Sequence, residues 1–332
     1  MERLSDYSDI AVWSAVAVYA LAFLLFTLDL ARRSVLVTRA QDARAAREAR
    51  ATQSRTDSAG GGTAVLLDTD APESVPTASS GPRYLRAAIA LTWVGWIVHL
   101  AGATMRGIAA ERVPWANMYE FALTATAIMI GVFLIAQFWQ DLRYLGAFIT
   151  GFVTLALGLA ALNVYVPISP LPAALSSGVA PIWLVIHIIV ATLGTGFFAL
   201  GAALSVLQLL RARRDRGGLR RAGYLDSIPG TGRLEDFAYR LIVVGFVFWT
   251  FTLIAGAIWA NAAWGRYWGW DTKEVWTFVI WVLYAGYIHA RATRGWRGTR
   301  SAWLAIIGFA TVIFNFSIVN IFFKGFHAYS GL

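Results

Sequence analysis

The chain contains no cysteine among its 332 residues. That absence excludes disulfide bonds, thiolate metal sites and any thiol chemistry by this chain. Charged residues are also scarce, at 14%, whereas hydrophobic residues reach 58% and the mean hydropathy is +0.59. So little charge in a chain of this length excludes an ordinary soluble domain. We therefore predict an integral membrane protein.

Long apolar runs recur along the whole chain, and eight of them approach the roughly 20 residues that cross a bilayer as a helix. They cover residues 10–30, 85–105, 118–138, 144–162, 181–210, 238–258, 272–290 and 302–323. Because lipid cannot satisfy backbone polar groups, runs of this length favour a helical bundle over a barrel. The predicted fold is an all-α polytopic bundle of about eight transmembrane helices.

The basic residues set the expected orientation of this bundle. Most of the 28 Lys and Arg residues fall in the connections that follow the first, third, fifth and seventh runs. By the positive-inside rule these connections face the cytoplasm, which places both termini outside. The net charge of +9 is thereby explained by membrane topology, so no nucleic-acid partner is expected.

Composition divides the chain into three parts. Residues 1–40 are expected to hold the first transmembrane helix and a cytoplasmic extension. Residues 41–83 are poor in aromatic residues and rich in Ala, Ser, Thr, Gly and Arg, which predicts a disordered cytoplasmic linker, helical where "ARAAREAR" continues the first run. Residues 84–332 form the membrane domain.

The stretch "WANAAWGRYWGWDTKEVW" at residues 259–276 holds five of the chain's fifteen tryptophans. On the predicted topology it is an external loop between the sixth and seventh runs. Aromatic belts at the membrane interface explain some of these rings, but not their density. Flat aromatic walls suit a flat, largely apolar ligand held at the membrane surface. The candidate rings are Trp259, Trp264, Tyr267, Trp268, Trp270 and Trp276.

Two of the four histidines approach the same outer side as this stretch. His187 lies near the start of the fifth run, and His327 lies just past the end of the eighth. Two imidazoles facing each other across an aromatic surface would suit a haem iron. A zinc site would need a third ligand. His99 is most simply a packed residue of the bundle.

Several charged residues near the aromatic stretch have two interpretations. The cations either bind carboxylates of a ligand or anchor at the membrane interface. These candidates are Arg266, Lys273, Arg106 and Arg112. Asp271, followed by Glu274, either caps the first turn of the seventh run, contacts the ligand, or does both.

The segment "WGRYWGWDTKEVWTFVIWVLY" resembles the WWD motif of haem-handling proteins of cytochrome c biogenesis, and in detail it is similar to the CcsA/ResC family. "NMYEF", "PIWLVIHIIVATLGTGFFAL" and "GFHAYSG" match the same family in the same order. The resemblance implies that His187 and His327 are axial ligands of haem at the outer surface. It also implies that the WWD residues cradle the porphyrin and that His289 belongs to a second haem position within the membrane. The cradle residues are Trp264, Trp268, Trp270 and Asp271, to which we add Trp259, Arg266 and Tyr267.

The resemblance further implies a function and its partners. Haem b would be bound non-covalently and presented for thioether attachment to the Cys-x-x-Cys-His motif of apocytochrome c, as part of a haem lyase. A ResB/Ccs-type membrane partner would act with the chain in the lipid bilayer of a bacterial plasma membrane, with the WWD stretch on the extracytoplasmic side. The absence of cysteine fits a protein that holds haem without becoming attached to it.

His289 lies eighteen residues past Asp271, about 27 Å along a straight helix, at a depth different from that of His99. We therefore expect the second ligand of His289 to come from the partner.

One alternative function is an exporter of haem, or of another flat ligand, that has no lyase activity. Another is an electron-transfer subunit, which normally needs histidine pairs at matched depth.

Overall fold

The structure is a computed structural model that describes residues 2–58, 83–168, 180–219, 223–293, 295–323 and 325. Within these residues eight long helices follow one another, and there is no strand. They are α1 (Glu2–Ser58), α2 (Arg83–Ala109), α3 (Met118–Ala136), α4 (Gly146–Asn163), α5 (Ala180–Asp215), α6 (Thr231–Trp264), α7 (Thr272–Thr293) and α8 (Thr299–Phe314). A π-helical turn (Asn315–Val319) continues α8 into a last helical turn (Asn320–Phe322).

The predicted helical membrane bundle is confirmed. Among the described residues, seven helices are long and apolar enough to cross a membrane. The eighth, α7, occupies the predicted run but carries Lys273 and Glu274 in its first turn and Arg291 near its end. The side of the membrane that each terminus faces stays a prediction.

Helix α1 is much longer than the apolar run that predicted it. It continues past residue 30 through "ARAAREAR" to Ser58. Ala, Arg and Glu are strong helix formers, so the chain stays helical after its side chains become mostly exposed. The rest of the predicted linker, residues 59–82, lies outside the described residues.

Contacts between helix ends bring the ends of α2, α4, α6 and α8 and the starts of α3, α5 and α7 to one end of the bundle. We call it the site end. Helix α1 packs along α2, α5 packs along α6, and α3 lies between α4 and α5. The core between α5 and α7 includes Phe198 stacked on Tyr284, with ring centroids 3.7 Å apart.

A buried polar cluster closes the opposite end of the helices α5 to α8. The carboxylate of Glu235 on α6 accepts hydrogen bonds from Gly298 N (2.9 Å) and Ser301 Oγ (3.0 Å) at the start of α8. Arg291 on α7 donates to the backbone oxygen of Glu235 (2.9 Å) and to Asp236 Oδ1 (2.6 Å). These contacts hold the starts of α6 and α8 and the end of α7 together, far from the site end.

Candidate functional site

The aromatic stretch folds mostly as helix. Helix α6 ends at Trp264, with Gly265 left-handed at φ +71°, and α7 starts at Thr272. Only residues 265–271 are non-helical; we call them the WWD loop. The sequence predicts a longer loop, 259–276. The difference arises because the apolar spans on either side continue as helices through Trp259 and Trp264 on α6 and through Trp276 on α7.

Of the two acidic residues at the start of α7, Glu274 forms the capping hydrogen bonds with its side chain. Glu274 Oε2 accepts hydrogen bonds from Gly269 N (2.8 Å) and Asp271 N (3.1 Å). Asp271 O accepts the first helical bond of α7, from Val275 N (2.9 Å). This is one half of a capping box, in which the carboxylate three residues into the helix binds the backbone N–H groups of the loop before it. The Asp271 carboxylate itself lies against Gly325.

The WWD loop presents two of its rings outwards. Trp270 is 78% exposed and has a left-handed backbone, φ +58°, which is uncommon for a large side chain. Trp268 meets it edge-on, with centroids 6.0 Å apart, and Tyr267 is also exposed. The guanidinium of Arg266 lies directly over Gly269, where any side chain would overlap it.

His187, on α5, has its ring fixed by three residues of α6. Its Nδ1 lies 3.0 Å from Thr252 O. Because a carbonyl can only accept, Nδ1 carries the hydrogen and the lone pair is on Nε2. The ring lies parallel to that of Trp259, at 14° and 6.1 Å between centroids. Gly256 lets the ring approach α6, since a Cβ there would be 2.8 Å from Nδ1 and Cε1.

Two clefts open beside His187. The first, the Trp115 cleft, is lined by Trp115, Phe121 and Trp259 among other residues and has a cavity volume of about 80 Å³. The second, the Trp268 cleft, is lined by Gly256, Tyr267 and Trp268 among others and has a cavity volume of about 60 Å³. His187 and Lys273 line both clefts. Both clefts are small and open to the surface, and aromatic rings form part of each wall.

The four candidate cations fall into different surroundings. Arg106 and Arg112 both pair with the buried carboxylate of Glu120, at 3.0 Å and 2.7 Å, and Arg106 also donates to Val166 O. The positive charges of both arginines are therefore paired with Glu120 inside the protein. Lys273 instead points its ammonium to Asn320 Oδ1, 2.5 Å away, between the clefts.

Glu120 also shapes the wall of the Trp115 cleft. It accepts a hydrogen bond from Ala116 N (2.8 Å), while its own N–H donates to Asn117 Oδ1 (2.9 Å) at the start of α3. The "NMYE" of the sequence thus forms a capping arrangement in which Asn117 caps α3 and Glu120 reaches back to the residue before the cap. It holds Trp115 and Asn117 where they line the cleft.

The remaining histidines lie apart from this group. His99 is buried on α2, with Nδ1 3.3 Å from Tyr19 OH on α1, as expected of a packed bundle residue. His289 lies in the last turns of α7 with an exposed side chain. His327 lies outside the described residues.

Sequence reasoning missed three residues that shape the site, namely Thr252, Gly256 and Asn320. A backbone carbonyl and a missing side chain have no chemical signature in a sequence. Asn320 did leave a signal, because it and Asn315 are amides inside the apolar run "FNFSIVNIFF". Polar groups within a span are costly and tend to have a defined partner.

Comparisons with known proteins agree on one family. The family described as "Cytochrome C assembly protein" matches residues 115–327, which include the WWD loop and His187. The Cytochrome c biogenesis protein CcsA of Heterosigma akashiwo is 31% identical over 252 residues, covering 66% of this chain and 77% of the relative. CcsA of Gloeobacter violaceus is 31% identical over 280 residues, covering 69% and 82%.

A solved structure shares the fold. The chain "Cytochrome c Heme Lyase CcmF" superposes with a TM-score of 0.60 at 16% sequence identity. The match covers 94% of the present chain but only 46% of that longer chain. At this identity the likeness shows the helical arrangement alone.

Proposed function

The chain belongs to the CcsA/ResC family of cytochrome c biogenesis proteins, and from that premise we propose that it is the haem-handling subunit of a cytochrome c synthase. It binds haem b non-covalently, as a substrate, at the site end of the bundle. It then presents haem to the Cys-x-x-Cys-His motif of apocytochrome c, together with a ResB-type membrane partner. Each vinyl group accepts the S–H of one substrate thiol, which forms a thioether without net oxidation or reduction.

The observation that carries the proposal is the setting of His187. Its Nδ1–H is engaged by Thr252 O, so the lone pair for an iron lies on Nε2. Imidazole is a common axial ligand of haem, and the second shell fixes its tautomer and ring orientation. The ring lines two clefts whose walls include Trp115, Phe121, Trp259 and Trp268, and such rings suit contact with a flat ligand.

The other proposed ligands follow from this position. His327 supplies the second axial ligand, since it follows the last turn of α8 by five residues, and that turn ends at the site end. Trp259, Trp264, Tyr267, Trp268 and Trp270, with Arg266 and Asp271, form the surroundings of the porphyrin. The WWD loop faces the extracytoplasmic side of a bacterial plasma membrane in this proposal.

His289 fits a second haem position that is completed by the partner. Its side chain is exposed on α7 and so faces away from the other helices of this chain. We infer that a ligand opposite it comes from another protein. We propose the ResB-type partner as its source.

The test begins with the reduced absorption spectrum of the protein purified in detergent with its partner. His187→Ala and His327→Ala should each lose the signal of outer haem, and added imidazole should partly restore it by filling the vacated axial position. Normal haem content in both variants would refute the ligand assignment. Covalent haem on an added apocytochrome distinguishes a synthase from an exporter, which would load none.

A further inference from the structure

The π-turn at the end of α8 brings two asparagines onto one face. Asn315 and Asn320 are five residues apart, which in a regular α-helix separates their directions by about 140°. A π-turn holds more residues per turn, which brings the two directions closer together. Asn315 Nδ2 donates to Thr277 Oγ1 (3.2 Å) and Asn320 Oδ1 accepts from Lys273 Nζ (2.5 Å). Because Lys273 and Thr277 are one turn apart on α7, both contacts depend on the π-turn.

The ammonium of Lys273 is incompletely satisfied within the described part of the chain. A lysine has three N–H donors, and the described residues provide one acceptor, the amide oxygen of Asn320. No described carboxylate lies within 4.0 Å of Nζ. The neighbouring Glu274 has its carboxylate engaged by two backbone N–H groups of the WWD loop. Asp271 acts on this ammonium through its charge but forms no ion pair with it within 4.0 Å. A partly buried cation without a directly paired anion is costly, so this site favours an anionic ligand.

The location of Lys273 points to the same ligand as His187. Both residues line the Trp115 cleft and the Trp268 cleft. Lys273 is also the only cation among the described residues that line these two clefts. Arg106 and Arg112 are held by Glu120 instead.

We propose that Lys273 binds a carboxylate of the ligand and that Asn320, placed by the π-turn, positions its ammonium. The ligand class is a flat macrocycle that carries carboxylate groups at one edge. The inference rests on the proposed function, in which the macrocycle is haem and the carboxylate is a propionate. It adds a polar contact to the axial ligands and thereby orients the macrocycle at the site.

The experiment compares haem with haem dimethyl ester, which has the same iron and macrocycle but no free carboxylate. Absorbance titrations of the full chain with its partner give the affinity for each probe. Wild type should bind haem about tenfold or more tightly than its dimethyl ester, because a charge-assisted hydrogen bond contributes about that much to affinity. Lys273→Met should lose most of this preference, and Lys273→Arg should keep part of it. Arg300→Gln, a one-charge change in the exposed start of α8 at the opposite end, should keep it fully.

A second variant tests the positioning role. Asn320→Asp would give the ammonium a carboxylate of its own, so the preference for haem over its ester should fall while the spectrum of His-ligated haem is retained. An unchanged preference in Lys273→Met and in Asn320→Asp would overturn the inference but not the proposed function. Failure of wild type to bind either probe would overturn both.

Discussion

The imidazole of His187 and the indole of Trp259 lie parallel, 6.1 Å apart between centroids. Trp259 is 1% exposed, so it lies beneath the histidine within the bundle, with Trp264 packed against it at 4.7 Å. Its place is therefore the floor of the site, whereas the exposed rings of the site belong to the WWD loop. The histidine ring is held between this floor and the backbone of α6.

Gly256→Val should displace the ring of His187. A Cβ at this position would meet Nδ1 and Cε1 at 2.8 Å, so the ring must move away from Thr252 O and lose that hydrogen bond. We expect haem affinity to fall about five- to tenfold, which corresponds to a loss of roughly 1 kcal/mol or slightly more of binding free energy. The measurement is a haem titration followed by absorbance.

Gly286→Val is the control for that change. Gly286 also lies within a helix, and a Cβ there would meet nothing within 4 Å. Its haem affinity should equal that of wild type. Equal affinity in the Gly256 variant as well would show that the ring position does not matter for binding.

Trp270 combines a strained backbone with an exposed ring. At φ +58° a left-handed conformation costs an L-residue about 1–2 kcal/mol, which glycine avoids. Trp270→Gly should therefore melt at a higher temperature than Trp270→Ala, while both lower haem occupancy because the ring is lost. Thermal unfolding and haem content of the two variants, measured side by side, check this. Unchanged haem content would mean that Trp270 is an anchor at the membrane interface and does not contact haem.

Glu120→Gln should destabilise the site end strongly. It would leave Arg106 and Arg112 without their shared carboxylate, and breaking a buried ion pair in this way costs about 3–5 kcal/mol. The thermal midpoint in detergent should drop markedly. Asp141→Asn removes the partner of Arg143 at an exposed pair and should cost at most about 1 kcal/mol. Similar effects in both variants would contradict the role given to the buried cluster.

Glu274→Ala should loosen the WWD loop. The variant frees the backbone N–H groups of Gly269 and Asp271, so amide exchange across residues 265–271 should become faster. Glu274→Gln keeps one acceptor oxygen and should show a smaller change. An exchange rate in Glu274→Ala that matches wild type would mean that the loop is held by other contacts.

Part of the site could be predicted because it lies in contiguous residues. The tryptophans, Asp271 and Glu274 stand together in one stretch, and His187 carries its own chemistry in its side chain. The pairing of Arg106 and Arg112 with Glu120 was not predicted, and both had been candidates for ligand contact. A sequence gives the charge of each residue but not the rotation of α2 about its axis, which decides whether Arg106 faces Glu120 or a ligand.

The sequence by itself determined the class of protein, because apolar runs of bilayer length must satisfy their own backbone groups as helices. It also determined the family, through motifs that are local in the chain. Only the tertiary structure decided which side chains meet between helices. The contact of Lys273 with Asn320 joins residues 47 apart in the chain, and that of His187 with Thr252 joins residues 65 apart. Such contacts depend on helix packing and on a π-turn in α8, and neither follows from the pattern of apolar residues.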